Sequence, residues 1–282
     1  MVPGDSDVSW VVVARKDFQD AIRSKMLWAI TALFVFVTAG FIFLHRWIDG
    51  SYTPQAAMSN MSWSSTSVIP LTALVIAYLA IVGERDSGSI KLLLGLPHSR
   101  GDVVFGKFVG RSGVVAVATI AAFGASGLVL LVYYGSFPAG EFLAQSALAL
   151  LFALVFVSIA LGFSSVTASR PRAVGGAFGL FFFFQLGWKL IPLTGYYLLE
   201  GSMPSEPFPK WYFFTWVLNP VEAYKIGARY ILHPNEQTIY ASLVAGKTPF
   251  YLEGWFPFVV LAIWLVVPVT LGYLRFRSID LY

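Results

Sequence analysis

Residues Gly101-Asp-Val-Val-Phe-Gly106-Lys107 come within one position of a phosphate-binding loop, in which backbone N–H groups and a lysine cradle a nucleotide. The departure is decisive. Such a loop needs Ser or Thr after the lysine to hold magnesium and a strand in front of it, whereas Phe108 follows here and a polar loop precedes. Nucleotide binding by this chain is not expected. Metal chemistry fares little better: the chain has no cysteine, which excludes disulfides, thiolate metal sites and a cysteine nucleophile. His45, His98 and His233 fall in three different segments. Met58, Met61 and His45 share one connector and could hold a soft ion, although methionines near a membrane interface are commonly just that. No acid, base and nucleophile cluster together, so an enzyme is not expected. Gln185 and Lys189 are four apart in an apolar run, hence on one helix face. They could line a translocation path and meet an anionic cargo group, or Lys189 could snorkel to the headgroups.

The elements that must position these residues are membrane helices. With 57% hydrophobic, 17% aromatic and 12% charged residues and a mean hydropathy of +0.71, the chain is far more apolar than a soluble domain. Six runs are long enough to cross a bilayer as helices of about 20 residues: Met26–Leu44, Trp63–Gly83, Ser112–Tyr134, Phe142–Phe163, Ala173–Leu193 and Trp255–Leu274. Runs such as AITALFVFVTAGFIF do not alternate, which excludes barrel strands. The first run follows a charged stretch and has no small-residue cleavage site behind it, so no cleavable signal is expected. The fold class is therefore an all-α membrane protein, 1–282 forming a single transmembrane domain.

Thirteen of the nineteen Lys and Arg residues fall in the N-terminal segment, the second and fourth connectors and the tail. The positive-inside rule puts those segments, and both termini, in the cytoplasm. The net charge of +4 is thereby explained by topology and calls for no nucleic acid. Ser9–Ser24 reads as an amphipathic helix, with Val11, Ala14, Phe18, Ala21 and Ile22 on one face and Arg15, Lys16, Gln19, Asp20 and Arg23 on the other. It suits the membrane interface; packing on a partner is the alternative. Asn60-Met-Ser62 is a glycosylation sequon on the external side, a weak pattern.

Glu84–Lys107 is the charged connector between two spans. Gly88–Leu96 can form a short helix there, with Asp86 or Ser87 as N-cap and Pro97 just past its end. Ile90, Leu93 and Leu94 would form an apolar stripe, either a plug for a groove on another protein or the underside of a loop packed beneath its own helices. The fifth connector, Thr194–Gly254, is expected outside and ordered. Asn219 is the N-cap and Pro220 the first residue of a helix, Glu222 closes a capping box, and His233-Pro234 stops it. A second short helix is expected over Glu236–Ala245. This region could gate an exit path or serve as an aromatic rim that anchors the fold.

The segment Glu84-Arg85-x-x-Gly88-Ser89-Ile90-Lys91-x-Leu93-Leu94-x-x-Pro97-x-x-Arg100, followed by Gly106-Lys107, resembles the coupling-helix region of type-2 ATP-binding-cassette (ABC) permeases. The leading interfacial helix, the six spans and the tail Arg275-Phe-Arg277-Ser-Ile-Asp280-Leu281 are similar to that family too, so the resemblance covers essentially the whole chain. Leu218-Asn219-Pro220-Val-Glu222-Ala223-Tyr224 resembles the branch containing the permease of nitrous-oxide reductase maturation. The resemblance implies a plasma-membrane half-transporter that pairs with a second copy, exports its cargo, and presents its coupling helix to a separate cytoplasmic ATPase that holds the ATP and magnesium. By the same resemblance Glu84, Gly88, Ser89, Ile90, Lys91, Leu94, Pro97 and Arg100 contact or shape that docking, with Ser89 where Thr is common. A gradient-driven secondary carrier is the alternative, but it would usually show internal repeats and ionisable spans, and neither is visible.

Overall fold

The computed structural model describes residues 9–48, 53–90, 95, 99–234, 240, 242–244 and 246–278, the side chains of 45–48 excepted. Of the coupling segment, Lys91–Leu94 and Leu96–His98 lie outside the described residues, and with them Lys91, Leu94 and Pro97. The chain is helical: α1 Ser9–Ile22, α2 Lys25–Ile48, α3 Pro54–Ala77, α4 Val82–Ser87, α5 Arg100–Tyr134, α6 Ala139–Val166, α7 Arg170–Gln185, α8 Leu190–Glu200, α9 Lys210–Val217, α10 Pro220–Leu232 and α11 Phe256–Arg277.

Among the described residues, five stretches are long and apolar enough to cross a membrane: Lys25–Leu44, Pro54–Ser87, Arg100–Tyr134, Ala139–Val166 and Phe256–Arg277. The expected span over Ala173–Leu193 is instead a broken pair, Arg170–Gln185 and Gly187–Glu200, bent by 48°. Leu186, at φ −127° and ψ −49°, ends α7, and a single 3₁₀ turn over Gly187–Lys189 starts the next segment. The apolar run continues through the break, which is why hydropathy alone does not register it.

Helix α5 starts twelve residues before the apolar run does. Ser99 and Asp102 form a reciprocal capping box: the Asp102 N–H donates to Ser99 Oγ at 3.1 Å and the Ser99 N–H to Asp102 Oδ2 at 2.8 Å. At 1.5 Å per residue its 35 residues reach about 52 Å, well beyond about 30 Å of hydrocarbon. Its first third, which holds the phosphate-loop look-alike, therefore projects past the apolar layer as helix.

The core runs along α6, whose Phe152, Phe156, Ala149 and Val157 are fully buried among α3, α10 and α11. Polar side chains repair the ladder where it is interrupted, as they must in lipid. Ser164 Oγ of α6 accepts from the Ile81 and Val82 N–H groups, both at 3.1 Å, at the break between α3 and α4. Ser158 Oγ accepts from Val269, the residue after Pro268 inside α11, at 3.2 Å.

At the far end, away from the start of α1 and the end of α11, Tyr196, Tyr212, Phe213, Val217, Tyr251 and Leu252 form a separate apolar cluster. Asn219 caps α10 as expected, its Oδ1 accepting from Val221 at 2.8 Å. Glu222 does not close a capping box; its Oε1 pairs with Lys225 Nζ at 2.9 Å. The helix expected over Glu236–Ala245 lies partly outside the described residues. Within it Val244 bridges Phe208 instead, and Phe208 N–H donates to the Leu243 carbonyl at 2.9 Å. Met58 and Met61 are fully buried in the core.

Helices α6 and α11 touch backbone to backbone at Gly162 and Gly272. A Cβ on Gly162 would strike the Pro268 carbonyl, and one on Gly272 would sit 2.7 Å from the Gly162 Cα. Gly162→Val is expected to force the pair apart and destabilise the fold by about 1–3 kcal/mol or more. Gly175→Ala, which meets open space, should leave the thermal midpoint unchanged; thermal unfolding in detergent checks both.

Candidate functional site

The amphipathic N-terminal stretch does form a helix, and its apolar face is buried or half-buried except at Val11, but the buried face also takes in Val13 and Asp17. Val13, Ala14, Asp17 and Ala21 are buried while Val11 is 41% exposed. The cause is a row of glycines on α5. A Cβ on Gly106 would meet the Trp10 carbonyl and Val13, one on Gly110 the Ala14 carbonyl and Asp17, and one on Gly113 the Phe18 ring. Small residues at this spacing let α1 lie directly on α5, running in the same direction.

That approach brings four charges together. Lys107 Nζ lies 3.2 Å from Asp17 Oδ1 and 2.6 Å from Glu84 Oε1, with the Lys107 and Asp17 side chains only 3% and 5% exposed. Arg111 Nη2 donates to Asp17 Oδ1 at 3.1 Å, and its Nε stands 2.8 Å from Oδ2, out of line for a hydrogen bond. Its Nη1 donates to the Ile76 carbonyl at the end of α3, at 2.9 Å. Two cations thus face two anions, and the cluster ties α1, α3, α4 and α5 together. Removing a charge from such a buried set leaves its partner desolvated and unpaired, which costs far more than the intact pair contributes.

Around this centre, arginines close the basic end. Arg85 Nη1 donates to the Thr167 carbonyl at 3.0 Å, where α6 has just ended. Arg170 Nε pairs with Asp86 Oδ2 at 3.1 Å. Arg100 Nη1 donates to the Phe276 and Arg277 carbonyls at 2.8 and 3.0 Å and lies over the Phe276 ring. It therefore satisfies the C-terminal carbonyls of α11, where a cation is also favoured by the helix dipole.

The predicted coupling residues divide accordingly. Glu84 belongs to the charge cluster and Arg100 to the clamp on α11. Asp86 and Ser87 are the last turn of α4; Gly88, at φ +77°, ends α4 in the left-handed region that favours glycine, and Ser89, Ile90 and Gly95 beyond it are helical. Ser89 Oγ lies 3.0 Å from Ser87 Oγ. Ile90, expected on a stripe that faces either a partner or the chain's own helices, is 2% exposed and packs with Ile81, Val103, Val104, Leu161 and Phe276. The turn at Gly88 aims it inward. Gln185 and Lys189 do not share a face, because the helix breaks between them. Gln185 Nε2 donates to the Thr66 carbonyl at 2.5 Å, and Lys189 Nζ lies over the Trp216 ring, 5.7 Å from its centroid.

Asp17 is the site residue that periodicity misplaces, since a sorting into apolar and polar faces sends any carboxylate to water. The signal is present in its spacing: Asp17 stands three after Ala14 and four before Ala21, inside the apolar stripe. Lys107→Met is expected to destabilise the fold by about 3–5 kcal/mol. Adding Asp17→Asn should cost clearly less than the sum of the two single changes, with a coupling of about 1–3 kcal/mol; denaturant unfolding in micelles measures the cycle.

Residues 11–281 match the family model described as ABC-2 family transporter protein. The chain is 31% identical over 277 residues to the probable ABC transporter permease protein NosY of Pseudomonas aeruginosa, covering 94% of each chain. It is also 31% identical over 224 residues to the protein of the same name from Stutzerimonas stutzeri, covering 76% of this chain and 79% of that one. A multi-pass helical bundle matched over nearly its whole length by this model and these relatives belongs to the ABC-2 family of transporter permeases.

Proposed function

We propose that this ABC permease subunit exports its cargo across the plasma membrane on energy supplied by a separate cytoplasmic ATPase, which docks on the connector between Glu84 and Arg100. ATP and magnesium belong to that partner. In this reading the basic end and both termini face the cytoplasm, α1 lies at headgroup level with Arg15, Lys16 and Arg23 toward the lipid phosphates, and two permease copies form the transporter.

The observation that carries the reading is the wiring of the connector. Glu84 reaches α1 and α5 through Lys107, Arg85 reaches the end of α6, Asp86 reaches α7 through Arg170, and Arg100 reaches α11. A push on this one segment is therefore a push on five helices, which suits a part that converts motion of an outside ATPase into rearrangement of spans. The same charges also explain a connector too polar for lipid, and the Lys and Arg asymmetry supplies the orientation. Ile90 anchors the connector from inside.

A mild-detergent pull-down of the tagged chain from its native cells tests this. The wild type is expected to bring down a nucleotide-binding subunit with ATPase activity, and Leu94→Asp to lose it while its helical circular dichroism and thermal midpoint stay those of the wild type. A folded wild-type chain that recovers no ATPase, or a Leu94→Asp variant that recovers as much, would overturn the docking reading.

A further inference from the structure

At the basic end a crevice of about 250 Å³ runs between the start of α5 and the end of α11. Val104 and Phe105 form one wall and Val269, Thr270 and Tyr273 the other, with Gly101 at its end. At Gly101 the α5 backbone comes up to the Tyr273 ring, 3.5 Å from where a Cβ would stand. The mouth is aromatic: Phe105 is 51% exposed, and Trp10 meets its ring edge to face at 4.9 Å. Two hydroxyls interrupt an otherwise apolar lining. Thr270 Oγ1 donates to the Val266 carbonyl of its own helix at 2.8 Å, whereas the Tyr273 hydroxyl makes no hydrogen bond among the described residues.

Charge marks the level of this crevice in the bilayer. Helix α11 ends in Arg275 and Arg277, both exposed and neither paired with a carboxylate among the described residues. Arginines at the end of a span sit where hydrocarbon gives way to headgroups. Val266, Thr270, Tyr273 and Arg277 are spaced by four, three and four, so the α11 wall of the crevice ends one turn past Tyr273 in a guanidinium. Arg275 falls on another face. On the α5 side the carboxylate of Asp102 is turned onto Ser99, accepting from its N–H at 2.8 Å and its hydroxyl at 2.7 Å.

An apolar slot, then a hydroxyl donor, then a cation, in that order toward water, match acyl chain, ester group and phosphate in a phospholipid. Guanidinium is also the cation that suits a phosphate best. A single extended chain fits a slot of this volume; a helix, about 10 Å across with its side chains, does not. We propose that the crevice holds one acyl chain of an anionic phospholipid from the leaflet at the basic end, its phosphate at Arg277 and the Tyr273 hydroxyl. Bound there, the lipid joins the start of α5 to the end of α11 beside the Arg100 clamp.

Thermal unfolding of the full chain in detergent micelles, titrated with phosphatidylglycerol or phosphatidylcholine, tests this. Phosphatidylglycerol is expected to raise the midpoint at lower concentration than phosphatidylcholine does. Arg277→Gln should weaken that response about tenfold, while Arg275→Gln, which removes the same charge from another face, should leave it at the wild-type value. Thr270→Trp, which fills the crevice from an exposed position and keeps every charge, should abolish it. Should Thr270→Trp fail to fold, the two arginine variants decide, since both lie exposed at a helix end. Equal responses to the two lipids, equal losses in the two arginine variants, or a folded Thr270→Trp that responds as the wild type does would overturn the proposal. So would a fall in oligomeric mass on Thr270→Trp in lipid-free detergent, measured by light scattering, which would assign the crevice to a second copy.

Discussion

A lysine ammonium buried at 3% exposure is the constraint on which the basic end depends. Taking Lys107 out of water costs several kcal/mol, so the chain must bring carboxylates to it, and the two it brings lie 90 and 23 residues earlier in the sequence. Asp17 arrives on α1 and Glu84 on α4. The glycines at 106 and 110 are the condition for that meeting, since with any side chain there the backbone of α1 would stand too far from α5 for Asp17 to reach Nζ. Charge, helix spacing and the position of α1 are thus one arrangement seen at three levels.

The far end meets a different difficulty by different means. Breaking a helix inside an apolar layer frees backbone groups that lipid cannot satisfy; at the break between α7 and α8 a side chain from the segment that follows answers the Phe184 carbonyl, and two tryptophans answer carbonyls around the junction of α9 and α10. Asn219 Nδ2 donates to the Phe184 carbonyl at 2.8 Å, Trp188 Nε1 to the Thr215 carbonyl at 2.8 Å, and Trp264 Nε1 to the Leu218 carbonyl at 2.9 Å. Phe184, Trp188 and Trp264 also stack or meet edge to face around the bend. Asn219 therefore does two things at once, capping α10 and closing the ladder of α7, which explains why it is fully buried.

The spans and the all-helical class were legible because a bilayer imposes length and apolarity on every crossing segment, and those are properties of composition. The cap of α10 was legible because Asn-Pro at a helix start is local chemistry. What depends on contact between distant segments was not. The break at Leu186 shows only as Gly187 and Pro192 within an apolar run, a weak local signal that neighbouring helices turn into a bend. The burial of Asp17 follows from Gly106 and Gly110, some ninety residues away. Ile90 points inward because Gly88 takes a left-handed turn, and nothing in the spacing of Ile90, Leu93 and Leu94 reports that turn. Ser99 and Asp102 are the exception: a capping box is a local signature, and it was there to be read thirteen residues before the apolar run at Ser112.

The two ends therefore differ in how a displacement would travel. At the basic end, ion pairs and arginine-to-carbonyl bonds fix Glu84, Arg85, Asp86 and Arg100 to α1, α5, α6, α7 and α11, and Gly88 between them ends α4 in a conformation that glycine adopts without strain. At the far end three hydrogen bonds at the bend stand among many aromatic faces and edges, which tolerate sliding better than aligned hydrogen bonds do. Long α5 joins the two, its first third in the charge cluster and its last turns beside the start of α6. A tilt imposed at Lys107 is carried to the far end by a single rigid helix about 52 Å long, and the softer packing there is where such a tilt would be absorbed.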